Sequence, residues 1–163
     1  MSGFELAQMN IARLRAPIDS PEIAEFVAAL DPINALAERQ PGFVWRFQTD
    51  EGNATAERPY EDEHIIVNMS VWTSLETLAD YVYRSDHTAF LRRRREWFTA
   101  MVEVHVAFWW VPAGHRPTVA EGIARLDHLQ ANGATAYAFT FRHPFPPVGD
   151  ASLEADDRNS CPA

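Results

Sequence analysis

The sequence predicts an α+β protein of the ferredoxin-like kind, a sheet with helices on one face, in a single domain over residues 1–145. Three observations predict it. Segments with the two-residue period of a strand and segments with helical period follow one another as strand, helix, strand, strand, helix, strand. Capping residues and Pro-Gly stops fall at the joins between them. The strands are apolar and aromatic enough on both faces, Trp45, Trp72, Trp109 and Trp110 among them, that each side of the sheet needs cover.

Residues 4–14, FELAQMNIARL, alternate and read as the first strand. A helix over 19–42 is announced by Ser20 as N-cap and Pro21 at its first position, is kinked or divided by Pro32, and is closed by Pro41-Gly42. FVWRFQT (43–49) is a second strand, and the acidic stretch from Asp50 to Glu63 an exposed loop. HIIVNMSVW (64–72) is a third strand. Thr73 and Glu76 have the spacing of a capping box for the helix carrying Leu75, Leu78 and Val82. Ser85-Asp86 can cap a restart of that helix before the arginine run. VEVHVAFWWV (102–111) is a fourth strand, followed by a helix over 119–133 closed by Asn132-Gly133, and AYAFTF (136–141) a last short one. Residues 146–163, rich in proline and acid, read as a disordered tail.

Composition removes several classes of function. A formal net charge of −9 argues against a nucleic-acid binder, which needs a basic footprint. All fourteen basic residues are arginine, so Schiff-base lysine chemistry is excluded. No apolar run reaches the roughly 20 residues of a membrane-spanning helix, and the first residues lack the pattern of a signal peptide. The lone Cys161 offers neither a disulfide framework nor a thiolate metal cluster, and a reducing cytoplasm is the expected compartment. Phosphate-cradling glycine loops and nucleophile elbows are missing from the sequence.

Within each strand, parity separates an apolar face from a mixed one. Gln8 and Asn10 share a face of the first strand; Asn68, Ser70 and Trp72 share a face of the third; His105 and Trp109 share a face of the fourth. If these mixed faces align, they form either a substrate pocket with aromatic walls and convergent polar groups or a polar network in a dimer interface. Arg46 can belong to either side. His87 falls among apolar helical positions, as a hydrogen-bonded core histidine, a haem ligand or a proton shuttle. Four adjacent arginines, 92–95, cover all sides of a helix, so one or two, Arg93 and Arg94 foremost, are expected to point inward onto an anionic partner.

The stretch from PGFVWRFQT to HIIVNMSVWTSLETLADYVYRSDHTAF resembles the dimeric α+β barrel superfamily, which includes antibiotic-biosynthesis and haem-degrading monooxygenases. With FELAQMNIARLRAPIDSPEIAEFV, RRRREWF and VPAGHRPT, the chain from about 4 to 143 is similar to a bacterial family of unknown function grouped with spheroidene-monooxygenase-like proteins. The resemblance implies a homodimer, in line with the need to cover the second sheet face, and a small oxygenase-like enzyme for an aromatic or polycyclic ligand. It also implies haem as a cofactor, with His87 on the iron, Arg93 or Arg94 on a propionate, and Asn10, Asn68 and Trp72 on the distal side. In a cofactor-free version, Asn and Trp orient an electron-rich substrate and His87 or His105 takes a proton. A non-catalytic binding or scaffold dimer is the alternative from another class.

Overall fold

The computed structural model describes residues 3–48, 64–85, 87–99 and 104–147. The expected acidic loop, most of the tail, Asp86 and Cys161 lie outside them. Five strands, β1 (Phe4–Leu14), β2 (Phe43–Arg46), β3 (Ile65–Trp72), β4 (Phe98–Thr99) and β5 (Val106–Pro112), form one antiparallel sheet. The spatial order is β2-β3-β1, with β5 along the first half of β1 and the short β4 at its far end. This is the ferredoxin-like order that the alternation of elements predicts.

Helix α1 (Ala24–Glu38) is entered through a 3₁₀ turn at Pro21–Ile23, where Ser20 Oγ accepts from the Glu22 N–H. It runs on through Pro32 without dividing. Gly42 then turns the chain into β2 with φ +89°, and a Cβ there would meet Thr77 at 2.4 Å, so both conformation and space require glycine. Helix α2 (Leu75–Arg84) has its capping box one residue later than the sequence suggests. Ser74 Oγ accepts from the Thr77 N–H and Thr77 Oγ1 from the Ser74 N–H. The helix stops at Ser85, whose hydroxyl accepts from the His87 N–H and so starts α3 (His87–Arg92). A second break at Arg93 precedes α4 (Arg94–Trp97). Helix α5 (Val119–Asn132) is capped by Thr118. The expected last strand reduces to one bridge, Phe139 to Phe108.

The two sheet faces are covered differently. Leu6, Leu14, Ile66, Trp72 and Phe108 face α1 and α2 in two apolar clusters, one at each end of the face. Ala7, Met9, Val67, Met69, Ala107 and Trp109 form the opposite face, and Leu126 and Leu129 of α5 pack on it. The hydrophobic need that suggested pairing with a second sheet is thus met within the chain. The close approach of α5 falls at Gly122, where a Cβ would stand 2.5 Å from Met9 Sδ. Among the described residues no helix is long and apolar enough to cross a membrane.

Candidate functional site

Between the two apolar clusters on the α1/α2 face lies a polar layer, built by strand register. Gln8 pairs with Ser70 and Asn10 with Asn68 across β1 and β3, so four polar side chains project to the same side at successive steps. Arg46 of β2 pairs with Ser70 on the other side and extends the row to the sheet edge. Its guanidinium is held by Glu38 at the end of α1, Nε donating to Oε1 at 2.7 Å. Gln8 and Ser70 are each 7% exposed, whereas Asn68 is open to solvent and Asn10 half-buried. The layer is therefore buried at one end and open at the other.

Hydrogen bonds connect it. Gln8 Nε2 donates to Asn68 Oδ1 and to Ser70 Oγ, both at 2.8 Å. The indole Nε1 of Trp72 donates to the same Ser70 Oγ at 2.9 Å. Trp72, 1% exposed, stacks on Tyr81 of α2 with centroids 5.1 Å apart, and meets Phe43 edge-on at 5.5 Å. The Tyr81 hydroxyl reaches the Ile33 carbonyl of α1 at 3.4 Å, and burial pushes its phenol well above the ordinary range. Beyond Tyr81 the His87 ring follows at 4.7 Å. Burial lowers the pKa of His87, opposed by a hydrogen bond to the backbone at Val82, so the neutral imidazole is favoured near pH 7.

Several expected site residues therefore come together: Gln8, Arg46, Asn68, Ser70 and Trp72 in one connected row, with Asn10 beside it. Trp109 and His105 do not join them. Register pairs Leu6 with Trp110 and Gln8 with Phe108, which sends the alternate residues of β5 to the other face. There Trp109 is sealed under α5, its Nε1 donating to Glu121 at 3.0 Å, and His105 is exposed just before the strand. No member of the arginine quartet points inward. The break at Arg93 keeps the four residues from circling one helix, and all of them are exposed. Arg93 pairs with Glu25 and Glu96 on the surface and lies over the Trp97 ring.

These positions do not fit a haem. The interval between His87 and Trp72, where a macrocycle would lie, is filled by the Tyr81 ring, and the arginines meant for propionates face outward. Asn10 stands four residues along β1 from the partner of Trp72, about 13 Å at the strand rise. The described His, Cys, Asp and Glu side chains form no group of three that could hold a metal ion. Tyr81 is the site residue that the sequence reading missed. Its signal is its spacing, three residues after Leu78 on the apolar side of α2. A shallow groove of about 430 Å³ also lies where the α1–β2 turn meets α2, lined by Gln40, Pro41, Thr77 and Arg84, but contains none of the polar-layer residues.

Residues 5–155 match the family model described as Domain of unknown function (DUF3291). None of the curated proteins matches the chain. Among solved structures it is similar to SnoaB, a cofactor-independent oxygenase from Streptomyces nogalater, at 20% identity over 71% of this chain and 96% of that one, with a TM-score of 0.46. PA3566 from Pseudomonas aeruginosa is similar at 14% identity over 71% and 98%, TM-score 0.46. So is a putative antibiotic biosynthesis monooxygenase from Nitrosomonas europaea, at 10% identity over 71% and 94%, TM-score 0.45.

Proposed function

The chain belongs to the DUF3291 family, and on that premise we propose that it is a small-molecule oxygenase that works without a cofactor. In this reading it binds an electron-rich aromatic or polycyclic molecule over the polar layer of its sheet. One observation carries it. Buried polar groups with unspent hydrogen-bonding capacity cost stability in a core, yet this sheet sets Ser70, Gln8 and Asn68 in a row between two apolar clusters and leaves the row open at Asn68. A bound ligand is what such a row can serve.

The chemistry needs three things from the protein. The substrate is the reductant: it loses a proton to become an enolate or phenolate, passes an electron to dioxygen, and recombines to a hydroperoxide. For an activated methylene, loss of water then leaves a carbonyl, with one dioxygen consumed and one water released. Ser70 and Asn68 supply hydrogen bonds to the anionic oxygen. Trp72 and Tyr81 form an aromatic wall on the buried side, and His87, kept neutral by burial, stands behind Tyr81 as the base in this reading. The resemblance of the strand-to-helix stretch around Trp72 to antibiotic-biosynthesis monooxygenases supports the oxidative part. A second reading, ligand binding without catalysis, is favoured by the Tyr81 ring that separates His87 from Trp72.

The test is dissolved-oxygen uptake with anthrone, a tricyclic ketone with an acidic methylene, run alongside quenching of tryptophan fluorescence by the same molecule. Oxygen uptake above the buffer rate that falls in Ser70→Ala supports the oxygenase. Quenching without uptake supports the binding protein, and neither signal overturns both readings.

A further inference from the structure

Hydrogen-bond valence in the polar layer has a direction. Ser70 Oγ accepts twice, from Gln8 Nε2 at 2.8 Å and from Trp72 Nε1 at 2.9 Å. An indole nitrogen only donates, and so does an amide nitrogen. Both lone pairs of the hydroxyl are spent, so its proton can serve only as a donor to a third group, and no described residue accepts it. The Asn68 carbonyl accepts the other proton of Gln8 Nε2 with one of its two lone pairs, which turns that oxygen toward Gln8 and the Asn68 NH₂ toward the open side of the layer. One amide nitrogen thus fixes two neighbours with their acceptors turned inward and their donors turned out. On the neighbouring strand, at the register of Ser70, stands a cation, Arg46.

From this we infer that Ser70 and Asn68 form a donor cradle on the open side of the layer and that Gln8 is the positioning residue that turns them so. The ligand it selects is an aromatic molecule bearing an acceptor-only oxygen, a carbonyl or an oxyanion, in preference to the same skeleton without the oxygen. The inference rests on the proposed aromatic site and adds its polarity. Gln8 touches no ligand in this account; it acts through Ser70 and Asn68. A glutamate at position 8 has the same shape with the opposite hydrogen-bonding sense. Its carboxylate would draw the Ser70 proton and the Asn68 NH₂ inward and leave the Asn68 carbonyl facing out. Methionine removes both donations with little change of volume.

The experiment is equilibrium dialysis of the full chain at pH 8 against 9-fluorenone and against fluorene, which differ only by the carbonyl. The wild type is expected to prefer fluorenone by about tenfold, the scale of one hydrogen bond made to a buried donor. In Gln8→Glu the preference falls to near unity or reverses, while fluorene affinity stays within about threefold, since area burial is unchanged. Gln8→Met gives the same loss of preference and serves if the glutamate variant does not fold, as read by thermal unfolding. Equal binding of the two probes by the wild type overturns the donor cradle and leaves the aromatic site standing. An undiminished fluorenone preference in the folded variants overturns the role of Gln8, and binding of neither probe overturns the aromatic site and the cradle with it.

Discussion

Alanine at Gly122 tests whether α5 packs on the sheet as described. Two effects oppose each other. In a helix interior alanine is favoured over glycine by about 0.8–1.0 kcal/mol, so an exposed Gly122 would gain stability from the change. Here the new Cβ would stand 2.5 Å from Met9 Sδ, 3.3 Å from Met69 Sδ and 3.4 Å from Met9 Cβ. Methionine sulfurs can usually swing aside, but Met9 and Met69 are both 0% exposed, and overpacking a closed core costs about 1–3 kcal/mol. The steric cost wins, and Gly122→Ala is expected to destabilise by about 1 kcal/mol, or roughly 2–4 °C in Tm for a domain of this size. Urea unfolding of the single variant, of Met9→Ala and of the double variant measures it. Truncating Met9 alone costs about 2–5 kcal/mol, and adding Gly122→Ala to it should cost little or restore some stability, a favourable coupling of about 1 kcal/mol. A stabilised Gly122→Ala with no coupling to Met9 would mean that α5 does not lie on this face, and pairing of two bare sheets would again be needed to cover it.

Three further outcomes follow from the same geometry. Ser74→Ala removes the reciprocal cap of α2 and should cost about 0.5–2 kcal/mol in denaturant unfolding; an unchanged midpoint would show that the cap is not formed. Arg93→Ala breaks exposed pairs with Glu25 and Glu96, which water and salt screen, so it should leave both the unfolding midpoint and quenching by anthrone essentially unchanged. Lost quenching would return the arginines to the site. His87 has a folded pKa below its unfolded value, so the unfolded chain protonates first as the pH falls. Its contribution should make stability rise with pH between the lowered folded pKa and the ordinary value near 6.5, and His87→Gln should flatten that slope in a thermal-melt series; a slope unaffected by the substitution would remove burial as the cause.

Much of this molecule is legible in one dimension because periodicity and capping are local. The alternation of FELAQMNIARL and HIIVNMSVW, the 3₁₀ entry to α1 at Pro21, the restart at Ser85 and the order of elements that gives the ferredoxin-like sheet all follow from neighbouring residues. Parity also separates Gln8 and Asn10 from Met9, and Asn68 and Ser70 from Met69, because side chains on a strand must alternate.

What parity cannot supply is the relation between strands. A shift of one residue exchanges the faces, and only the pairing of Leu6 with Trp110 decides that Phe108 borders the polar layer while Trp109 and His105 leave it. The arginine run illustrates the same limit, since a helical wheel presumes an unbroken helix and the chain breaks at Arg93. Tyr81 enters between Trp72 and His87 through the packing of α2 on the sheet, and α5 takes the face that composition alone would have given to a second copy. The sequence by itself determined the longer strands and helices, their order and which side chains share a strand face, because those depend on local backbone geometry; β4 and the reduction of the last strand to one bridge came from pairing. The tertiary structure decided which faces meet, what fills the space between His87 and Trp72, and which way the hydrogen bonds of the polar layer run, because those depend on contacts between residues far apart in the chain, 62 positions for Gln8 and Ser70 and 104 for Leu6 and Trp110.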